Sequence, residues 1–308
     1  MLATLTRGFS RAAPAEGLRE RIRAFMAGFS IETTPKQAEK VASFAAVLPK
    51  GTRVFVAFIP GESPAAIVAL AERLRGEGMV PVPHVPARSL EDMAAFVAYA
   101  KGLRAAGVTE ALVLAGGLGR PVGDLVSSMQ LLDSGVFEDL GFERLHVAGH
   151  PEGSPDIDAK GLAEALAHKN AWSERTGIPL TITTQFGFDG TGMLAWAGAI
   201  EAAGNRLPIR IGVAGPASMT ALLKYAKMCG VNASMTVMAK AGGKLLQLMG
   251  QSAPDGLITL LATESKGGIQ NLHFYPFGGF DKTAKWATAV AEGRFVLDRS
   301  GDGFTVEG

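Results

Sequence analysis

One cysteine, Cys229, stands among 308 residues, so the chain cannot close an internal disulfide or build a zinc site on several thiolates. Charge of one sign is missing as well. The 30 Lys+Arg and 29 Asp+Glu leave a net charge of +1, without the basic surplus or stripe that marks a nucleic-acid binder. No uncharged apolar run approaches the ~18 residues of a membrane-spanning helix. Walker A, G-x-S-x-G and G-x-G-x-x-G spacings are absent. His146 and His150 are four apart, but on a strand-to-loop segment with no carboxylate between them, which excludes the zincin arrangement. These absences lead to the expectation of a soluble cytoplasmic protein with no nucleic-acid or membrane partner and no metal.

What is present is a large apolar fraction, 47%, enough to bury a core unaided. Short β-branched or apolar runs alternate with amphipathic stretches. Strands are predicted at Phe29–Glu32, Arg53–Ile59, Val80–His84, Ala111–Ala115, Arg144–Ala148, Leu180–Phe186, Ile209–Val213 and Asn271–Tyr275. Helical periodicity falls at Lys36–Val47, Pro64–Arg75, Leu90–Ala106, Asp124–Leu132, Ala159–Thr176, Met193–Ala203 and Ser218–Cys229. Ser63, Asp156 and Ser218 offer side-chain oxygens for helix starts. Runs such as VFVAFI and ALVLA read as apolar on both faces, which suits a parallel sheet covered by helices. Eight such alternations predict an α/β fold, a (β/α)8 TIM barrel forming one domain over 1–308. A doubly wound open sheet is the alternative. Residues 17–27 read as a leading helix and 1–15 as a mobile arm. Residues 233–265 read as a helical insert before the last strand, hinting at self-association. Residues 292–308 read as a C-terminal extension with a short hairpin.

In such a barrel the reactive groups gather at the carboxyl ends of the strands. Glu32, His84, Gly116-Gly117, His150, Gln185 and Tyr275 end or follow different strands, and convergence at one mouth is the functional signal. Glu32 ends an apolar run; desolvation there would raise its pKa and let it serve as a general acid. The Gln185 amide can donate and accept at once, which suits a heterocycle edge. Helix-dipole pairing for Glu32, and structural roles for His84 and Gln185, are the alternatives.

In order along residues 28–290, these fragments resemble the methylenetetrahydrofolate reductase family. Ser30-Ile31-Glu32-Thr33-Thr34-Pro35 is similar to its opening S-F-E-F-F-P, and Pro83-His84-Val85 to P-H-L. Gly149-His150-Pro151-Glu152 echoes A-Y-P-E, Thr184-Gln185-Phe186-Gly187-Phe188-Asp189 matches T-Q-F-F-F-D, and His273-Phe274-Tyr275 matches H-F-Y. The resemblance implies a barrel that binds FAD, takes hydride from NAD(P)H and passes it to 5,10-methylenetetrahydrofolate. It implies that Glu32 is the acid and that Gln185 binds the pterin. It places Ala57, Phe58, His84, Leu114, Ala115, Gly116, Gly117 and His150 against the flavin, Lys169 near its phosphates, and Met219 and Tyr275 at the folate. The family's arginine and aspartate after the fourth strand are Ala115 and Gly117 here, and His150 replaces a tyrosine. A flavin-free reductase using NAD(P)H directly, and a folate- or flavin-binding barrel without reductase activity, are the competing readings.

Overall fold

The computed structural model describes residues 12–228 and 251–307, with side chains over 17–228 and 253–307. Eight parallel strands close into a barrel. They are β1 (Ser30–Thr33), β2 (Arg53–Val56), β3 (Val80–Pro86), β4 (Glu110–Leu114), β5 (Arg144–Gly149), β6 (Leu180–Gly187), β7 (Ile209–Ala214) and, after a two-stranded ribbon of β8 (Ala217–Ser218) and β9 (Gln251–Ser252), β10 (Ile269–Tyr275). The order around the barrel is β1-β10-β7-β6-β5-β4-β3-β2. All eight predicted strands are present, and closure excludes the open sheet.

The helices are α1 (Ala12–Met26), α2 (Pro35–Ala38), α3 (Pro64–Gly76), α4 (Met93–Ala105), α5 (Ser128–Leu132), α6 (Val136–Asp139), α7 (Ala159–Thr176), α8 (Gly190–Ala202), α9 (Met219–Met228), α10 (Asp255–Glu264) and α11 (Phe280–Ala291). Ser63, Asp92, Asp158 and Asp189 each accept a backbone N–H at a helix start. The start of α7 is thus capped by Asp158, not by Asp156 as expected. Residues 12–15 belong to α1 rather than to an arm; residues 1–11, and 229–250 of the expected insert, lie outside the described residues. The expected hairpin forms from β11 (Phe295–Leu297) and β12 (Phe304–Val306), antiparallel, with Phe295 and Phe304 buried. No helix among the described residues is long and apolar enough to cross a membrane.

The helix predicted over 36–47 stops at Ala38. Side chains of the next unit take over the backbone groups that a helix would have paired. The Glu77 carboxylate accepts from the Phe44 and Ala45 N–H groups, while Arg73 donates to the Ala38 and Val41 carbonyls. These bonds satisfy an irregular segment whose Val41 and Phe44 remain buried.

Outward strand residues, among them Ile31, Val54, Val113, Val147, Ile211 and Phe274, pack against the helices as one apolar core. The runs expected to be apolar on both faces are so, with Phe55 and Leu112 pointing inward, whereas other strands turn polar residues into the barrel. Phe55, Val82 and Leu112 form a thin apolar layer across the barrel. At the amino ends of the strands lie Arg53, Glu110, His146 and Arg210; toward the carboxyl ends lie Glu32, His84 and His273. The apolar layer lies between this ionic plug and the polar rim, and Arg210 reaches past it to Ser30.

Candidate active site

Three strands bring one carboxylate and two imidazoles together at the carboxyl end of the barrel. Glu32 comes from β1, His84 from β3 and His273 from β10. The Glu32 Oε2 lies 3.3 Å from His84 Nε2 and 3.7 Å from His273 Nε2. Both ring nitrogens are buried, and neither makes a well-aligned hydrogen bond, so each is a close polar contact with the carboxylate rather than a formed hydrogen bond. The Phe55 ring forms the floor, its centroid 4.4 Å from that of His273.

Ser30 orders this group from behind. Arg210 Nη1 donates to Ser30 Oγ (3.3 Å) and to the Gly28 and Leu272 carbonyls. Ser30 Oγ in turn lies 2.8 Å from His273 Nδ1, closer than its other acceptor, the Leu272 carbonyl at 3.5 Å. A hydroxyl that accepts from arginine is free to donate to the ring, and this bonding pattern assigns the His273 proton to Nε2, facing Glu32. Burial depresses the His273 pKa more than Glu32 raises it, so the ring is neutral near pH 7.

The Glu32 carboxyl departs from expectation. Burial pushes its pKa up, as expected, but the two imidazoles outweigh burial and the net value falls to about 2. Glu32 is therefore ionised at neutrality.

Gln185 owes its direction to an irregularity in the sheet. The pairing of β6 with β7 slips between Thr183 and Phe186, and such a bulge re-aims the side chains it contains. Thr184 Oγ1 accepts from the Gly212 N–H, and the Gln185 Oε1 accepts from the Phe186 N–H at 3.1 Å, leaving the amide NH2 to donate elsewhere. A Cβ on Gly212 would lie 2.5 Å from the Thr184 carbonyl oxygen and 2.7 Å from that of Gln185. Gly212→Ala is therefore expected to displace the bulge and cost about 1–3 kcal/mol. Thermal denaturation checks this, and an unchanged midpoint would refute it.

Tyr275 joins β10 to β6: its hydroxyl donates to the Thr184 carbonyl (3.0 Å), and its ring meets His273 edge-on at 4.8 Å. In register, Glu32 stands one residue beyond the Ile31–Phe274 pair, level with Tyr275. Glu32, His273, Tyr275 and the Gln185 bulge thus share one rim. Met219, Phe188, Tyr275 and Phe277 pack against a small core of Phe186, Ala214, Ala217, Leu222 and Ala226, where Tyr225 and Phe277 stack at 4.1 Å.

A cavity of about 1140 Å³ begins at the ends of β4 and β5 and runs between α7 and α8 toward Pro208. Leu114, Ala115, His150 and Lys169 line it. Ala57, Phe58, His84, Gly116 and Gly117 do not. Ala57 is buried, and Phe58 packs on Tyr99 with ring centroids 5.8 Å apart. Gly116 has φ +96, and a Cβ on it would lie 3.1 Å from Pro86, whereas one on Gly117 would meet open space. The volume exceeds the ~300–1,000 Å³ of ordinary small-molecule pockets and would admit a dinucleotide. Lys169 is 8% exposed, and its Nζ has one long contact, 3.4 Å to the Ala148 carbonyl. Burial lowers its pKa to about 8. Among the described residues no carboxylate pairs with it, and the cavity lining sets four cations, Arg88, Arg144, Lys169 and Arg206, against one carboxylate, Glu174. That donor set fits an anionic cofactor such as FAD. No group of His, Cys, Asp and Glu suited to a metal ion occurs among the described residues.

Sequence reasoning missed Ser30, His273 and Arg210 as site residues. The signal was the period-two polar series Ser30, Glu32 and Asn271, His273, Tyr275, which places polar groups on one face of each strand.

No family model matches the chain. Among solved structures, a protein of Burkholderia cenocepacia J2315 described as a phosphonomutase is similar, with 11% sequence identity and a TM-score of 0.45, over 85% of this chain and 93% of that one.

Proposed function

We propose that this chain is a soluble, cytoplasmic enzyme that reduces 5,10-methylenetetrahydrofolate to 5-methyltetrahydrofolate. FAD would be the hydride donor and NAD(P)H its reductant. The observation that carries the reading is the placement of ionised Glu32 between two imidazoles, on the rim that also holds Gln185 and Tyr275, with a cation-bearing cavity alongside. The sequence resemblance supplies the substrate.

Ring opening breaks the bond from the methylene carbon to one folate nitrogen. That nitrogen takes a proton, and an iminium cation remains at the other. Ionised Glu32 stabilises the cation electrostatically in a site sheltered from water. Covered by the folate, Glu32 loses solvent and its pKa rises, so the carboxyl takes up one proton from solvent on binding and passes it to the leaving nitrogen, ending ionised beside the cation. Ser30 and Arg210 keep His273 in one tautomer throughout. The Gln185 NH2 binds the pterin edge, and Met219, Phe188 and Tyr275 offer an apolar wall to the folate's aromatic ring. Bound FAD would supply the hydride that saturates the iminium carbon.

The loss of the family's arginine and aspartate at Ala115 and Gly117 favours one second reading, direct reduction by NAD(P)H without a flavin. The absorbance spectrum of freshly purified protein separates the two. A flavin band that bleaches anaerobically with NADH or NADPH, and returns on adding the folate, is expected. Folate turnover by a colourless protein would replace the first reading with the second, and a coloured protein without turnover would leave a binding barrel.

A further inference from the structure

Four cations line the 1140 Å³ cavity; Arg144 and Arg206 lie toward the amino ends of β5 and β7, whereas Arg88 stands with Lys169 toward the carboxyl ends of the strands. Arg88 lies in the turn after β3, and its N–H donates to the Ala115 carbonyl at 2.8 Å, fastening the end of β3 to the end of β4. Position 115 is where the resemblance leads one to expect an arginine. The side chain of Arg88 reaches the same neighbourhood from next door. Its guanidinium spans two loops, bonding the Val126 carbonyl (3.1 Å), the Leu118 carbonyl (3.3 Å) and Asp156 Oδ2 (3.0 Å). Arg88, His150 and Lys169 all line the cavity.

The charges around this cavity do not balance. Lys169 is more than nine-tenths buried and has no acidic partner among the described residues. Arg88 has one acidic partner, Asp156, whose side chain is 45% exposed while that of Arg88 is 17% exposed. An exposed carboxylate forms a weak, exchangeable partner for a sheltered guanidinium. A planar guanidinium with fixed N–H directions recognises phosphate oxygens in pairs, and the ammonium adds a point charge.

We propose that Arg88 and Lys169 form a two-point cradle for a diphosphate-bearing ligand, and that Asp156 is the stand-in anion which the diphosphate displaces from Arg88. The inference rests on the flavin reading insofar as FAD is the physiological ligand. ADP shares the diphosphate chemistry and tests the cradle apart from the flavin.

Calorimetric titration of the full chain with FAD, riboflavin and ADP tests the proposal. FAD is expected to bind at least about tenfold more tightly than riboflavin, as charge-assisted hydrogen bonds to phosphate predict. Arg88→Gln should weaken FAD and ADP by about tenfold to a hundredfold and leave riboflavin unchanged, and Lys169→Met should do the same. Asp156→Asn should tighten FAD and ADP a few-fold, because it removes the competing anion. A merely structural Arg88 would behave differently. Its loss would weaken riboflavin as much as FAD, and Asp156→Asn would weaken binding too; either outcome overturns the cradle. Equal affinities of the wild-type protein for FAD and riboflavin overturn the cradle while leaving the flavin reading intact. ADP binding that depends on Arg88, with no flavin binding, keeps the cradle and removes the flavin. Binding of neither FAD nor ADP overturns the cradle.

Discussion

Glu32→Gln is expected to lower folate turnover by about 10²–10⁴-fold, the range typical of losing an acid–base group, with the barrel intact and any bound flavin retained. Glutamine matches the shape of glutamate but carries no charge. It cannot balance a forming iminium, and it cannot exchange a proton with His84 or His273, which now stand 3.3 and 3.7 Å from the carboxylate. The low Glu32 pKa, about 2 against an ordinary 4.5, also sets the sign of a stability effect. A depressed carboxyl stabilises the fold above the unfolded value, and that contribution disappears as pH falls from about 4.5 through about 2. The side chain is one-fifth exposed, so the contribution is smaller than the full shift would imply. Steady-state turnover, with the flavin spectrum and melting midpoint as controls, checks the prediction. Full activity in Glu32→Gln would remove the carboxylate from the mechanism.

The barrel was legible because the outward faces of its strands are apolar and each faces a helix; Val54, Val113 and Ile211 belong to one continuous core. The irregular run after Ala38 was not legible. Its apolar spacing is helical, and only the long-range bonds from Arg73 and Glu77 decide otherwise. Asp156 was misread for a similar reason. Asp158, two residues on, caps α7, while Asp156 turns toward Arg88, 68 positions earlier in the chain. At the site, the motifs gave Glu32, Gln185 and Tyr275, which the strands bring to one rim. Burial of Glu32 was anticipated with its correct sign, yet its protonation state was not. That state depends on His273, 241 positions away in sequence, and the proton on His273 depends on Ser30 and Arg210. Spacing along the chain does not record such second-order dependence.

Glu110→Gln should produce the largest loss of stability of any substitution considered. Glu110 begins β4 and points into the barrel, where Arg53 grips it with two bonds of 2.8 Å and His146 Nε2 lies 3.1 Å away. Its side chain is only 9% exposed. Burial pushes its pKa up, but His146 and Arg53 outweigh burial and bring it to about 2. Arg210 lies close enough to act on His146 electrostatically, and the glutamate offsets this concentration of positive charge. A neutral amide would leave Arg210, 4% exposed, and Arg53, 30% exposed, with their counter-ion gone. Breaking one member of such a buried set costs about 3–5 kcal/mol, more than an apolar replacement of the whole set would. The acid limb follows from the same groups. Burial, together with Arg210 and Arg53, lowers the His146 pKa to about 4, so its neutral form stabilises the fold above about 6.5 and that contribution fades as pH falls through 4. The Glu110 contribution then disappears between about 4.5 and 2. Urea unfolding of the wild-type protein should therefore weaken steadily below pH 6.5. At neutral pH, Glu110→Gln should unfold at a markedly lower urea concentration, and the gap between the two proteins should narrow below pH 4.5. A gap that is absent at neutral pH would mean that the plug is not held by charge; one that stays constant with pH would assign the loss to packing instead.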